Sequence, residues 1–573
     1  MRLQPVYDIA ALCAQHGITE AVVCPGSRCA PLTLAFARHI AIHVRTISDE
    51  RSAAFIALGM AQASQKPVVL ICTSGSAAYN FAPAVAEAYY QQIPLIVLTA
   101  DRPTEWVGQR DGQTIEQKSI YGKHAKHACQ LPESTEHPDA RWSFYRLVNE
   151  AVLEAKTQPM GPVHINVPLR EPLYPGAHEA IRFSEHIPII DRAEVQSINI
   201  ERLLPTFEGW LASGKKVLLV AGQLHATYPL MQAVQKFIQK YNVSLTGDLT
   251  SNLHVLPLAN LHADTFLMGL SEEQKRLLAP DVVITFGRSV VAKNLKQFLR
   301  AFKTSAHWHI EPGHDIIDPF QSMTLHVPTD PLLFFEAMAA APAPNIKGSD
   351  TYHQAWTKNE KLAQGAVNNF FEKFTDTEFS WVRLLLNHLP NDSALHLANS
   401  MAIRYANWIG LNSSKQVSVF SNRGTSGIDG CSSTAVGHSL ATQKLTTLVT
   451  GDMAFFYDRN AFWNNESTAH LRIVVLNNHG GAIFGIIDGP ADLPEAGSLF
   501  ITQQKLTARH LAGEFGLDYE LVDRAMTMPE VTSLFKRFYE PSARAKILEI
   551  DSSAQQAREV FQLFKQHIKQ SII

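Results

Sequence analysis

Short apolar runs separated by helix-length amphipathic stretches recur three times along the chain. In the first round, runs at 21–24, 42–47, 68–72 and 95–99 alternate with helical patterns, among them a small-residue helix predicted over 51–63 with Ser48 or Asp49 as its cap. Strands buried on both faces read as continuous apolar runs, so the alternation predicts a parallel sheet flanked by helices. Turn-forming residues sit at the strand ends, in Pro25-Gly26-Ser27-Arg28, Thr73-Ser74-Gly75-Ser76 and Ala100-Asp101-Arg102-Pro103. Open α/β sheets bind ligands at such ends. After Pro168 the pattern lapses, then resumes at 216–221, 282–286 and 307–310. An Ala- and Pro-rich linker is expected at 338–349, and the third round has runs at 393–397, 417–420, 445–450, 473–476 and 545–550. The fold class expected is therefore α/β, with three doubly wound parallel-sheet domains at 1–180, 190–340 and 350–573.

Composition narrows the function classes. The 573 residues are 46% hydrophobic and 18% charged, with a formal net charge of -3. That balance suits a soluble globular protein and argues against nucleic acid or an anionic membrane as partner, so an anionic ligand would need a local basic cluster. The six cysteines are scattered without a Cys-x-x-Cys pair, which predicts reduced, mostly buried thiols and no structural zinc. The start of the chain, Met1 to Asp8, lacks the apolar core of a signal peptide, and no apolar run approaches the roughly 18 residues of a membrane span. A cytoplasmic location without a membrane anchor is expected.

The third round holds the most informative segment, from Gly451-Asp452 to Asn477-Asn478-His479-Gly480-Gly481. It leaves one predicted strand and ends just after the next, with a helix-length stretch between. The Asp452 carboxylate, the Asn478 amide oxygen and a backbone carbonyl near Gly480 are hard oxygen ligands, and adjacent strand ends would bring them to one edge of the sheet. Diphosphate oxygens would complete the shell of Mg2+, with Mn2+ as an alternative metal. Each dipeptide alone is ordinary turn chemistry.

The combination resembles the thiamine diphosphate signature, Gly-Asp-x followed by Asn-Asn about twenty-five residues later. Thiamine diphosphate chemistry also needs a glutamate against the aminopyrimidine ring, where it stabilises the imino tautomer that removes the thiazolium proton. Glu50, in Ser48-Asp49-Glu50-Arg51-Ser52, is the candidate. In isolation it would read as a first-turn glutamate facing the helix dipole.

With Glu50 in the first domain and the metal motif in the third, nearly the whole chain resembles the pyruvate decarboxylase and acetolactate synthase superfamily. That resemblance implies a pyrimidine-binding domain at 1–180, a central domain at 190–340 and a diphosphate- and metal-binding domain at 350–573. It also implies a homodimer, or a homotetramer built from it, with sites shared between chains.

Particular motifs narrow the likeness. Cys24-Pro25-Gly26-Ser27-Arg28-Cys29-Ala30-Pro31-Leu32, Thr99-Ala100-Asp101-Arg102-Pro103, Ser421-Asn422-Arg423-Gly424-Thr425-Ser426-Gly427-Ile428-Asp429-Gly430 and Gly481-Ala482-Ile483-Phe484 are similar to those of the MenD family. Met453, next to Gly451 and Asp452 at the cofactor, also fits, because an apolar residue is common there in that family. The implied reaction decarboxylates 2-oxoglutarate and adds the succinyl carbanion equivalent to the ring alkene of isochorismate, with thiamine diphosphate as electron sink.

Both substrates carry two carboxylates, so the pocket must present cations. Arg28, Arg102, Lys293, Arg404 and Arg423 are the candidates, with Ser27, Gln113 and Ser400 as neutral donors and Ser400 also beside the cofactor. Ser400 and Arg404, four apart, are expected on one helix face. Some relatives carry Lys-Arg where this chain has Lys293-Asn294, which leaves a second cation from the central domain in doubt. Ile428 matches the apolar wedge that bends the cofactor, and Ile483 and Phe484 would wall the thiazolium; each could equally be core. His124 and His127 read as a solvated loop or helix face, and His479 as a loop position only.

Three rival functions compete with this one. A pyruvate-using acetolactate synthase or decarboxylase fits the cofactor, but a monoanion needs fewer arginines. A nucleotide-binding dehydrogenase lacks its Gly-x-Gly-x-x-Gly after a first strand. A noncatalytic regulatory or binding subunit sits poorly with both Glu50 and Asp452 present.

Overall fold

The computed structural model describes residues 3–176, 180–193, 199–342, 348–486 and 493–572. The linker expected at 338–349 lies partly outside them; of its described part, 338–340 still belong to the helix Pro331–Ala340, and the next helix begins at Asp350. The predicted lack of a signal peptide rests partly on Met1 and Arg2, which also lie outside the described residues.

Three parallel six-stranded sheets carry the fold. The first contains β1 (Glu20–Val23), β2 (His43–Thr46), β3 (Val68–Cys72), β4 (Leu95–Asp101), β5 (His127–Gln130) and β6 (Val163–Pro168), in the order β2-β1-β3-β4-β6-β5. The second contains β7 (Val217–Ala221), β8 (Ser244–Gly247), β9 (Ala259–Asn260), β10 (Val282–Phe286), β11 (Ala306–Ile310) and β12 (Leu325–Val327), in the order β12-β11-β10-β7-β8-β9. In the third, β13 (Ser393–Leu397), β14 (Val417–Phe420), β15 (Thr446–Gly451), β16 (Leu471–Asn477), β17 (Asp518–Val522) and β18 (Lys546–Asp551) run β14-β13-β15-β16-β18-β17. Counted within each sheet, the first and third share one strand order. The second has the order of a dinucleotide-binding sheet, yet the loop after β7 reads Gly222-Gln223-Leu224 and packs directly on the loop after β10. A side chain at Gly222 would meet the Arg288 carbonyl at 1.9 Å.

Interior strands match the apolar runs because both of their faces are covered; β3, β4, β7, β10, β13 and β16 are buried along their whole length. The strands without such a signal lie at or next to sheet edges, or hide polar groups. β6 carries His164 and Asn166, which are buried yet bonded to Thr99, and Asn166 also donates to Asp101. His127 begins β5 and is half-buried, so it is not on a solvated loop or helix face as expected. All six cysteines are free thiols, five of them buried. No helix among the described residues is long and apolar enough to cross a membrane.

The first and third sheets are joined by two helices in close contact, Glu50–Ser64 and Cys431–Ala441. Their approach depends on glycine, since a Cβ at Gly59 would lie 2.0 Å from the Thr434 carbonyl and one at Gly437 2.0 Å from the Ile56 carbonyl. Gly59→Val is expected to lower stability by at least about 1–3 kcal/mol, the usual cost of overpacking. Urea unfolding would show it as an earlier midpoint.

Candidate functional site

Neighbouring strands of the third sheet deliver its acidic end. β15 and β16 run parallel with Gly451 opposite Leu476, so the residues that follow leave the sheet side by side. Asp452 is buried at the first position of the helix Asp452–Tyr457, which gives way to a 3-10 turn at Arg459–Phe462. Two short pieces thus replace the helix-length stretch expected between the motifs. Asp452 Oδ1 accepts from the Met453 amide at 2.9 Å and Oδ2 from Gln504 Nε2 at 2.7 Å. Burial pushes its carboxyl pKa up, an effect that a bound cation would reverse.

The paired asparagines diverge. Asn477 is held by the scaffold, donating to Glu549 Oε1 at 2.6 Å and the Leu506 carbonyl at 3.0 Å while accepting from Gln504 at 3.0 Å. Asn478 donates to Glu378 Oε2 at 3.2 Å, but its buried Oδ1 has no hydrogen-bond partner. A buried acceptor without a partner is uncommon and needs a physical reason. A cation bound there would supply one. At Gly480 any side chain would come 2.8 Å from the Ile501 carbonyl, so the loop presents bare backbone. His479 Nε2 lies 2.8 Å from Asp551 Oδ1, which ties its ring to the end of β18. No cluster of three or more His, Cys, Asp or Glu suited to a metal occurs among the described residues; a cation here would rely on amide and carbonyl oxygens beside one carboxylate.

Glu50 opens its helix, whose cap is Asp49: Oδ1 accepts from the Ser52 amide at 3.1 Å and Oδ2 from Asn460 Nδ2 at 2.7 Å. The half-buried Glu50 lines an open hollow of about 630 Å³ with Ser48, Tyr79, Pro83, Tyr457 and Trp463. Its lining contains neither Asp452 nor Asn478. Within one chain, then, the glutamate and the orphaned amide oxygen do not share a cavity.

The candidate cations form two groups. At the carboxyl edge of the first sheet, buried Arg28 donates to the Leu169 carbonyl at 3.0 Å and pairs with Glu171 at 3.3 Å. Burial and then the neighbouring Arg102 hold the Arg28 guanidinium below its ordinary range. Arg102 lies 3.6 Å from Asp111 and donates to the Gly112 carbonyl at 3.0 Å. Ser27 and Gln113 are exposed beside these loops.

The second group joins the middle and third domains. Ser400 precedes the helix Met401–Ile409 with φ of 74°, so it does not share a helix face with Arg404 as expected; instead Arg404 Nη1 reaches back to the Ser400 carbonyl at 2.6 Å. Arg423 Nη1 donates to Asn399 Oδ1 at 2.8 Å, and its buried Nε has no partner. Lys293 is exposed, and Asn294 is turned onto Asp264, which takes its backbone amide at 2.6 Å. One turn further on, half-buried Lys296 lines with Arg423 a cavity of about 1200 Å³ along the middle sheet's carboxyl edge. Burial lowers the pKa of Lys296, Arg404 and Arg423, and the nearby Arg423 charge adds to the shift at the first two.

The chain matches the family described as thiamine pyrophosphate enzyme, N-terminal TPP binding domain, over residues 7–120, and the one described as middle domain of thiamine pyrophosphate over residues 193–397. It is 45% identical over 573 residues, all of both chains, to a Cytophaga hutchinsonii protein named 2-succinyl-5-enolpyruvyl-6-hydroxy-3-cyclohexene-1-carboxylate synthase. Proteins of the same name from Bacteroides thetaiotaomicron (35% identity, 99% of each chain) and Desulfotalea psychrophila (38%, 90% of this chain and 93% of the relative) are also similar. The chain belongs to this synthase family. It is accordingly a thiamine diphosphate-dependent enzyme of the transferase type.

In this synthase-family chain, the apolar residues expected beside the cofactor lie in a loop and a short helix. Ile428 is 37% exposed in the loop after Gly427. Ile483 and Phe484 share the short helix Ala482–Gly485, half-buried, with Phe484 6.1 Å from the Phe500 ring. Several groups that shape the site escaped the sequence reading. Gln504 bridges Asp452 and Asn477, Glu378 holds the Asn478 amide, and Lys296 joins Arg423. None lies in a motif, and only the one-turn spacing from Lys293 could have drawn attention to Lys296.

Proposed function

We propose that the protein removes carbon dioxide from 2-oxoglutarate and joins the four-carbon succinyl remainder to isochorismate, giving 2-succinyl-5-enolpyruvyl-6-hydroxy-3-cyclohexene-1-carboxylate in a cytoplasmic step of menaquinone biosynthesis. The observation that carries this reading is the gathering of Lys296, Arg404 and Arg423, none ion-paired to a carboxylate among the described residues, where the third sheet's loops meet the middle domain. Asp248, Asp264 and Glu87 act on these half-buried cations only from beyond ion-pair distance, and withdrawing cations from water without a contacting counter-charge is costly. A dicarboxylate ligand removes that cost.

Bound thiamine diphosphate would supply the electron sink for loss of carbon dioxide. Asp452, the free Oδ1 of Asn478 and the Gly480 carbonyl would hold Mg2+, or Mn2+ in its place, against the diphosphate. Glu50 would hold the aminopyrimidine of the bound cofactor by a hydrogen bond and would take up or return a proton there. Gly451, Met453, Ser400 and Ile428 shape the cofactor's bed, while Ile483 and Phe484 keep water from the reacting carbon. Ser27, Arg28, Arg102 and Gln113 take substrate from the first sheet's edge, and Lys293, Ser400, Arg404 and Arg423 from the other side, where guanidinium forks suit carboxylates.

The division at 1–180, 190–340 and 350–573 then corresponds to pyrimidine-binding, central and diphosphate-binding units. Because the Glu50 hollow lacks the metal loops, each site takes Glu50 from one chain and Asp452 from another, in a homodimer or a homotetramer of such pairs. Arg423→Gln is expected to raise KM for one of the two substrates by about 10- to 100-fold, the range for losing a charged hydrogen bond. Steady-state kinetics with each substrate varied in turn checks it, and unchanged values for both would remove the carboxylate role.

A further inference from the structure

The helix Ala82–Gln91 drives one carboxylate from the first domain into the loop that carries Arg423. Glu87 is fully buried, and all of its bonds to the third domain go to that loop. Its Oε1 accepts from the Gly424 amide at 2.7 Å; its Oε2 accepts from the Thr425 amide and the Thr425 hydroxyl, both at 2.6 Å. Gly424 lies flat on the helix, where a Cβ would stand 2.7 Å from the Glu87 carbonyl and 3.0 Å from Tyr90 Cβ.

The same carboxylate is braced from behind. Gln91 donates to Glu87 Oε1 and accepts from Gln62 and from Gln223, each at 3.1 Å; Gln223 also donates to the Ser421 carbonyl at 2.8 Å. Groups from the first and middle domains thus converge on the segment 421–425. Glu87 makes no ion pair with Arg423, so the guanidinium is not neutralised by contact, and its buried Nε stays without a partner.

A carboxylate that accepts from two successive backbone amides fixes their peptide planes and hence the direction in which the preceding side chain leaves the chain. We propose that Glu87 is a positioning residue for substrate binding, clamping the Gly424–Thr425 backbone so that Arg423 is aimed, unpaired, at a substrate carboxylate. The inference rests on the reading of Arg423 as a substrate residue. It adds that the aim of this arginine is set by the first domain of the same chain.

Glu87→Gln supplies one acceptor where two are needed and turns an amide donor toward a backbone N–H. It is expected to raise KM for the same substrate that Arg423→Gln affects, by about tenfold, with kcat within about threefold of the parent enzyme. Thr425→Val removes only the hydroxyl donor, keeps both backbone bonds, and is expected to give a smaller rise in the same KM. Because it leaves the buried carboxylate satisfied, it decides the matter if Glu87→Gln does not fold. A purely structural Glu87 would lower the unfolding midpoint and leave both KM values alone. An increased KM in Arg423→Gln with parental KM values in Thr425→Val and in folded Glu87→Gln would overturn the proposal while sparing the role of Arg423. Unchanged KM values in Arg423→Gln itself would overturn both.

Discussion

Glu50→Gln is expected to lower turnover by about 10²- to 10⁴-fold, the span of a lost general acid–base group, while thiamine diphosphate and Mg2+ still bind. The substitution keeps the shape and a hydrogen-bonding end group but removes the charge that moves a proton. Among the described residues the Glu50 side chain makes no hydrogen bond to the scaffold that the change would break: the helix cap belongs to Asp49, and the link to the third domain runs through Asp49 to Asn460 and Arg51 to the Tyr457 carbonyl. The variant should therefore fold and bind cofactor, which calorimetric titration would register. Full activity would remove Glu50 from the chemistry.

Asp452→Asn is expected to fail at an earlier step. In the proposed site the buried carboxylate would contribute the one negative protein ligand beside the neutral Asn478 and Gly480 oxygens, and the metal would have to offset a diphosphate. Loss of an outer partner alone can cost a metal site 10- to 100-fold in affinity, so losing the charged ligand should cost more than about 100-fold, visible as lost Mn2+ binding by electron paramagnetic resonance. Removing Mg2+ from the parent enzyme with a chelator should reproduce the defect reversibly. If sites are shared between chains, mixing the two inactive variants with subunit exchange should restore up to about a quarter of parental activity, because half of the dimers would be hybrids with one intact site. Restoration would be absent if both residues served the same site within one chain.

The legible parts of the molecule are those whose signal is local. β3, β10 and β13 lie where their apolar runs predict them, since a strand covered on both faces announces itself. Edge strands are less legible: β14 matches its run although Ser418 is exposed, but β9 spans two residues, β17 is only partly buried, and β5 mixes His127 and Gln130 with small apolar residues. In the site, Asp452 and Asn478 were readable because strand ends and turn residues coincide there. The physical reason that Asn478 rather than Asn477 stays open appears only after folding, because Asn477 is consumed by Glu549 and Gln504. Ser400 and Arg404 show the opposite error, where a correct spacing was assigned to a helix that begins one residue too late. Glu87, Glu378 and Lys296 carry no motif at all. Their roles arise from packing between segments a hundred or more positions apart, as with Glu87 and Gly424, which are 337 apart.

The most direct test is the loss of isochorismate absorbance with purified protein, thiamine diphosphate and Mg2+, comparing 2-oxoglutarate with pyruvate as the second substrate. Loss that requires both 2-oxoglutarate and thiamine diphosphate is the predicted result. Consumption of pyruvate with isochorismate untouched, or no dependence on thiamine diphosphate, would contradict it.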